Sequence, residues 1–227
     1  MTVPDRRLPS VTMTFDDTAL YRDITDFAHD TPMWVREGAG LWTEAGLLVF
    51  VALFAAVWWR ARRDGPRAFA IAALAPLATA GAYVCSELLK SVVTQERPCR
   101  AVAGAAASLA ACPPHGDWSF PSNHATIAGG SAVTLALVRR ALLWLTAPLA
   151  LLMAFSRVFV GVHYPHDVLA GLVLGALVAL VAVRLGTGPM TRLSGALRGS
   201  SAPVVRWVVG PGRPAGARSR EVPAGRR

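Results

Sequence analysis

The chain has 227 residues, enough for one domain or one membrane bundle. A hydrophobic content of 53%, a charged content of only 16% and a mean hydropathy of +0.42 exclude an ordinary soluble domain. The net charge of +9 comes from arginines clustered between apolar runs, so it reads as a topology signal and not as a nucleic-acid footprint.

Residues 1–38 form an acid-rich N-terminal segment with Asp16, Asp17, Asp23, Asp26, Asp30 and Glu37. No apolar core precedes residue 41, so no cleavable signal peptide is expected. Within ALYRDITDFAHDTPMWV, Leu20, Ile24, Phe27 and Trp34 recur at roughly helical spacing. That spacing predicts an amphipathic helix lying on the outer membrane surface.

Residues 39–185 contain five apolar runs: 41–59, 68–93, 125–138, 141–160 and 168–183. A bilayer core takes about 20 helical residues. The two short runs reach that length if their helices start at Ser122 and Pro165. The expected fold is therefore an all-α integral membrane bundle of about five transmembrane helices plus the N-terminal interfacial helix. Residues 186–227, rich in Gly, Pro, Ser and Arg, read as a basic, disordered cytoplasmic tail.

Orientation follows from the arginines. Arg60, Arg62, Arg63 and Arg67 lie between spans one and two, and Arg139 and Arg140 between spans three and four. Arg184, Arg192, Arg198, Arg206, Arg213, Arg218, Arg220, Arg226 and Arg227 follow span five. These alternate connections share one side, which the positive-inside rule makes cytoplasmic. The N-terminal segment, the 95–121 loop and the 161–166 connection then face outward. Cys99 and Cys112 fall in that outer loop, where they either pair as a disulfide or remain free thiols; Cys85, inside span two, reads as packing.

Three polar clusters interrupt the apolar pattern. Lys90 is the only lysine among 23 basic residues, and it stands at the outer end of span two, where a charge is costly. Arg97 lies seven residues on, two turns along the same face if the helix continues, and Pro98 ends it. Next, Pro121-Ser122-Asn123-His124 opens span three, with Ser122 or Asn123 as N-cap and His124 in a first turn suited to phosphate. Finally, SRVFVGVHYPHD puts Ser156 and Arg157 at the outer end of span four, His163 in the turn and Asp167 in the first turn of span five. His166 beside it reads as an interfacial residue more than a substrate contact. By the loop-charge topology, all three clusters converge on the outer face. Glu87, one turn before Lys90, either pairs with it or stays solvated, and Glu44 either faces the same pocket or the interface.

Lys-x6-Arg-Pro, Pro-Ser-x-His and Ser-Arg-x5-His-x3-Asp, in this order, resemble the three-part signature of the type-2 phosphatidic-acid phosphatase superfamily. Its membrane members are lipid phosphatases, and its soluble relatives include vanadium haloperoxidases. The resemblance covers residues 41 to about 184. Its phrases SFPSNHAT and GVHYPHDVLAG, with the five-span layout, look most like bacterial undecaprenyl-diphosphate phosphatases. Asn123 departs from the pattern, which has Gly there.

The resemblance implies His163 as nucleophile, Asp167 as the group orienting it, and His124 as general acid and then base. It implies Lys90, Arg97 and Arg157 as phosphate ligands, with Ser122 and Asn123 completing the cradle. No metal and no cofactor are expected, since fixed cations can take the place of Mg²⁺. The expected enzyme is a metal-independent lipid phosphatase of the bacterial plasma membrane. Its substrate would be a polyprenyl diphosphate on the extracytoplasmic face, with the bilayer as its other partner. Phosphatidate or phosphatidylglycerol-phosphate hydrolysis, lipid phosphotransfer and a non-catalytic membrane role are the competing functions.

Overall fold

Proline and glycine punctuate the apolar runs, and the helices begin or bend where they stand. The structure, a computed structural model, describes residues 17–210. In chain order the helices are α1 (Thr18–Asp30), α2 (Met33–Ala45), α3 (Leu47–Ala61), α4 (Pro66–Lys90), the single turn α5 (Pro98–Ala101), α6 (Asn123–Val138), α7 (Leu143–Phe159), α8 (Pro165–Leu197) and α9 (Pro203–Val209). Pro66, Pro98, Pro165 and Pro203 each stand in the first turn of a helix, where the missing N–H has no cost and the fixed φ helps. Among the described residues all regular structure is helical.

Helix α6 occupies the centre, packed against α4, α7 and α8, with α3 beside it and α1 and α2 against α7. Its buried face is made of small residues, Ala125, Ala128, Gly129, Gly130, Ser131 and Ala132 among them. Helix α8 shows the same economy. Gly171, Gly175 and Ala179 face inward, whereas Leu169, Val173, Leu177 and Val181 are exposed. Small residues inside and large aliphatics outside is the arrangement of helices packed in lipid.

The small residues are obligatory at the α6–α8 seam. A Cβ on Gly175 would strike the backbone oxygen of Thr126, one on Gly129 that of Leu172, and one on Gly171 that of Ser122. Gly175→Ala is therefore expected to destabilise the bundle by about 3 kcal/mol, since backbone cannot yield as a side chain can. A drop in the thermal midpoint of the detergent-solubilised protein checks this.

About five spans were expected, and the helices support part of that count. Among the described residues three helices are long and apolar enough to cross a membrane, Pro66–Lys90, Arg140–Phe159 and Pro165–Leu197. The first predicted span is instead a pair, α2 and α3, bent by 47° at Gly46. A side chain there would meet Trp42 and the Met153 methyl, so glycine lets α7 press into the bend. The third, α6, has 16 residues, about 24 Å of helix, short of a full crossing.

The described part of the tail, residues 186–210, is largely helical, against the disorder that its composition implied. Helix α8 runs on to Leu197, and α9 follows. Arg198 Nη1 donates to the Asp64 backbone oxygen (2.6 Å), and the Arg62 guanidinium lies 4.3 Å from the Trp59 ring centroid with Trp58 and Trp207 around it. Cation–π contacts of this kind dock α9 to the end of α3. Residues 1–16 and 211–227, with Asp16, Arg213, Arg218, Arg220, Arg226 and Arg227, lie outside the described residues. Of the segment where an interfacial helix was expected, Leu20, Ile24 and Phe27 fall on α1 and Trp34 on α2. Helix α1 buries Tyr21, Thr25 and Ala28, and leaves Leu20 and Phe27 exposed.

Candidate active site

Four helix ends meet beside α6: the C-termini of α4 and α7, and the N-termini of α6 and α8. Their polar residues are buried although the helices around them are apolar. Lys90, Arg97, Ser122, Arg157, His163 and Asp167 are all buried, and Asn123 and His124 are half-buried.

His163 sits in the turn between α7 and α8. Gly161 begins that turn with φ +84°, a left-handed conformation open to glycine, and its carbonyl accepts a 2.9 Å bond from the Tyr21 hydroxyl. Arg97 Nη1 lies 3.0 Å from His163 Nε2. A guanidinium can only donate, so Nε2 accepts and carries a lone pair. The proton is then on Nδ1, 3.3 Å from Asp167 Oδ2. The same carboxylate oxygen accepts from the Tyr164 N–H (2.8 Å) and from Ser119 Oγ. Burial, reinforced by the nearby Arg97 and Arg157 and opposed by Asp167, pushes the His163 imidazole down to about 4. It is therefore neutral at neutral pH.

Asp167 also joins the two helix starts, since its backbone oxygen accepts from Ser122 N (3.1 Å). Ser122 is the N-cap of α6, but its hydroxyl makes no cap bond; Ser122 Oγ is buried with no protein partner. His124, in the first turn of α6, lies within electrostatic reach of Arg157, His163, Arg97 and Lys90. Asn123 accepts from Ser86 Oγ at 2.7 Å and donates to Glu87, so the side chain that replaces Gly packs toward α4.

The cations reach the site by different routes. Lys90 ends α4, with Glu87 Oε1 3.9 Å away. Arg97 does not continue that helix, which stops at Lys90. It arrives on an extended segment and donates to the Val162 backbone oxygen (3.0 Å) as well as to His163. Arg157 donates from Nη1 to Thr43 Oγ1 (2.8 Å), its Nε is buried without a partner, and Glu44 acts on it electrostatically. The predicted residues are thus brought to one cluster.

Four contributors escaped the sequence reading. Thr43 holds Arg157. Ser119 holds Asp167. Asp117 Oδ1 lies 3.2 Å from Lys90 Nζ and 2.9 Å from Arg97 Nη2. Burial alone would raise the Asp117 pKa, but the bonds from Arg97 and Lys90 outweigh it and hold the carboxylate below its usual range. Its one visible signal was being the only acid between Glu96 and Asp167. The fourth is Asp17, whose carboxylate takes His166 N (2.8 Å) and pairs with His166 Nδ1 (2.9 Å). His166 Nε2 is also 3.2 Å from Asp167 Oδ1, so His166 ties α1 to the site and is not simply interfacial.

Cys99 and Cys112 form a disulfide, closing the loop that leads to Asp117 and Ser119. Cys85 is free. Among the described residues no group of three or more His, Cys, Asp or Glu is arranged to hold a metal ion.

Chemically, the cluster presents an imidazole lone pair beside three cations, with a carboxylate behind the ring and a second imidazole within reach. Such a site can attack a phosphorus atom and neutralise its oxygens.

An undecaprenyl-diphosphatase of Sulfolobus acidocaldarius is 37% identical over 119 residues, 52% of this chain and 56% of that protein. A decaprenylphosphoryl-5-phosphoribose phosphatase of Mycobacterium tuberculosis is 35% identical over 117 residues, 49% of this chain and 61% of its own. The match thus spans little more than half the length of these two relatives. An undecaprenyl-diphosphatase of Bacillus subtilis is 30% identical over 144 residues, 63% of this chain and 70% of that one. The fold is shared with the crystal structure of a PAP2-type phosphatidylglycerolphosphate phosphatase from Bacillus subtilis, at a TM-score of 0.54 and 22% identity over 76% of this chain and 87% of that one. Residues 71–188, which hold all three polar clusters, match the PAP2 superfamily, and the chain belongs to it.

Proposed function

We propose that the protein is a membrane lipid phosphatase that hydrolyses a polyprenyl diphosphate to the monophosphate through a phosphohistidine on His163. The observation that carries this reading is the His163 ring itself, with Nε2 facing Arg97 and Nδ1 facing Asp167. As phosphate binds, Arg97 transfers its hydrogen bond from Nε2 to a phosphoryl oxygen and frees the lone pair. Nε2 then forms a bond to phosphorus while the bond to the leaving lipid oxygen breaks. His124 supplies the proton to that oxygen. Asp167 stabilises the imidazolium, as the third member of a catalytic triad does. Water activated by His124 next cleaves the N–P bond and releases inorganic phosphate.

Lys90, Arg97 and Arg157, with the orphaned Ser122 hydroxyl and the start of α6, bind the phosphoryl oxygens without a metal. Asn123 lies beside them as an outer wall. An apolar cleft of about 340 Å³ between α2 and α7 is lined by Trp34, Trp42, Phe155 and Phe159 and by Ser156, the neighbour of Arg157. Its position supports a substrate whose phosphate ends in a long apolar tail. The finer topology belongs to this proposal as well: α6 serves as a fifth, shorter span at the centre of the bundle, α1 lies in the interface, and the site faces outward in a bacterial plasma membrane.

Phosphatidylglycerol phosphate or another lipid monophosphate is the second reading, favoured by the Mycobacterium tuberculosis relative and the solved Bacillus subtilis structure. A side-by-side assay decides. Purified protein in detergent with EDTA is given polyprenyl diphosphate, phosphatidate and phosphatidylglycerol phosphate, and released phosphate is measured. Fastest release from the diphosphate is expected. Failure on all three rejects the phosphatase, and strict Mg²⁺ dependence rejects the metal-free mechanism.

The depressed His163 pKa has a definite sign. Burial favours the uncharged ring, so Nε2 keeps its lone pair until the pH falls to about 4, well below the ordinary histidine value of about 6.5. Asp167 opposes that shift, so Asp167→Asn is expected to push the titration lower still while slowing turnover. Histidine-selective NMR of the two proteins measures both midpoints.

A further inference from the structure

The two cations nearest the extended segment already hold an anion of the protein's own. Asp117 Oδ1 takes Lys90 Nζ at 3.2 Å and Arg97 Nη2 at 2.9 Å, and its backbone oxygen takes Arg97 Nε at 2.8 Å. To ammonium and guanidinium donors a carboxylate and a phosphoryl group are interchangeable partners. The same nitrogens cannot serve both fully, and a phosphate bound to them would lie against a like charge.

We propose that Asp117 is an internal competitor for the phosphate site, holding Lys90 and Arg97 until a lipid phosphate displaces it. The inference rests on the proposed reading of those two residues as phosphate ligands. Displacement has a route. The Asp117 side chain is 43% exposed whereas those of Lys90 and Arg97 are 7% and 4% exposed. Gly116 precedes it at φ +91°, with open space around its α-carbon. When the carboxylate leaves, Arg97 keeps the Val162 carbonyl as a partner and takes up the phosphoryl oxygens.

The competition weakens every phosphate equally, but its consequence for occupancy is selective. Free inorganic phosphate has only the headgroup contacts, so it is displaced by Asp117 after each turnover. A lipid phosphate has the apolar cleft as well, and remains able to fill the site. Asp117 thereby limits product inhibition by free phosphate while a lipid phosphate can still fill the site.

The test reads inorganic-phosphate binding to the full-length protein in detergent, by phosphate-dependent thermal stabilisation, without turnover. Asp117→Asn, which keeps an acceptor for Arg97, is expected to bind phosphate about tenfold more tightly than the wild type. Asp117→Glu, which keeps the charge, is expected to match the wild type. Unchanged or weaker binding by Asp117→Asn overturns the proposal and leaves Asp117 a positioning residue for Arg97. Equal tightening by Asp117→Glu also overturns it, because charge would not be the cause. Absence of phosphate binding in wild type and Asp117→Asn alike overturns it too, whereas a wild type that binds phosphate but hydrolyses no lipid rejects the phosphatase reading alone.

Discussion

His163→Ala is expected to abolish phosphate release, by about 10⁴-fold or more, while leaving the bundle folded. The size of the effect follows from removing the proposed nucleophile of a covalent mechanism, where the remaining groups retain only residual catalysis. The mild structural cost follows from the partners left behind. Asp167 Oδ2 keeps the Tyr164 N–H and the Ser119 hydroxyl, and Arg97 Nη1 keeps the Val162 carbonyl, so no charge is orphaned. Released phosphate from lipid substrate, measured beside the thermal midpoint, checks both halves. Hydrolysis at the wild-type rate would remove His163 from the mechanism.

Arg97→Lys is the second large effect, and it should damage activity and stability together. The guanidinium spans Asp117 Oδ1, the Asp117 and Val162 backbone oxygens and His163 Nε2. An ammonium is a single point on a flexible stem and cannot hold acceptors set that far apart. Leaving the buried Val162 oxygen unsatisfied costs about 2 kcal/mol. Losing the planar clamp on the phosphoryl oxygens is expected to lower kcat/KM by about 10²–10³-fold. Kinetics and thermal unfolding of the same preparation test the pair of effects. Near-normal kcat/KM would show that charge alone is required there.

The parts legible in the sequence were those written in local chemistry. Apolar runs announced the helices, and Pro165 with Asp167 marked the start of α8. The three spaced clusters named every buried cation around His163. What stayed hidden depends on tertiary approach. The bend at Gly46 exists because Met153 presses there, a contact across more than 100 residues. Arg97 fits a helical spacing from Lys90, yet reaches the site on extended chain. Asp117 and Ser119 sit in a loop whose path is set by the Cys99–Cys112 bond, and no periodicity marks loop residues. The tail's composition suggested disorder, but Arg198 and Trp207 find carbonyl and aromatic partners on α3 and its following turn.

The seam between α6 and α8 carries one more consequence. His124 and Asp167 begin the two helices whose backbones touch at Gly129, Gly171 and Gly175. Their spacing is set by main chain against main chain and not by the lipid around them. A thinner or thicker host bilayer is then accommodated at the periphery, by the 47° elbow and by tilt of the outer helices. Turnover should accordingly vary little between vesicles of short-chain and long-chain lipids, even as the elbow opens or closes.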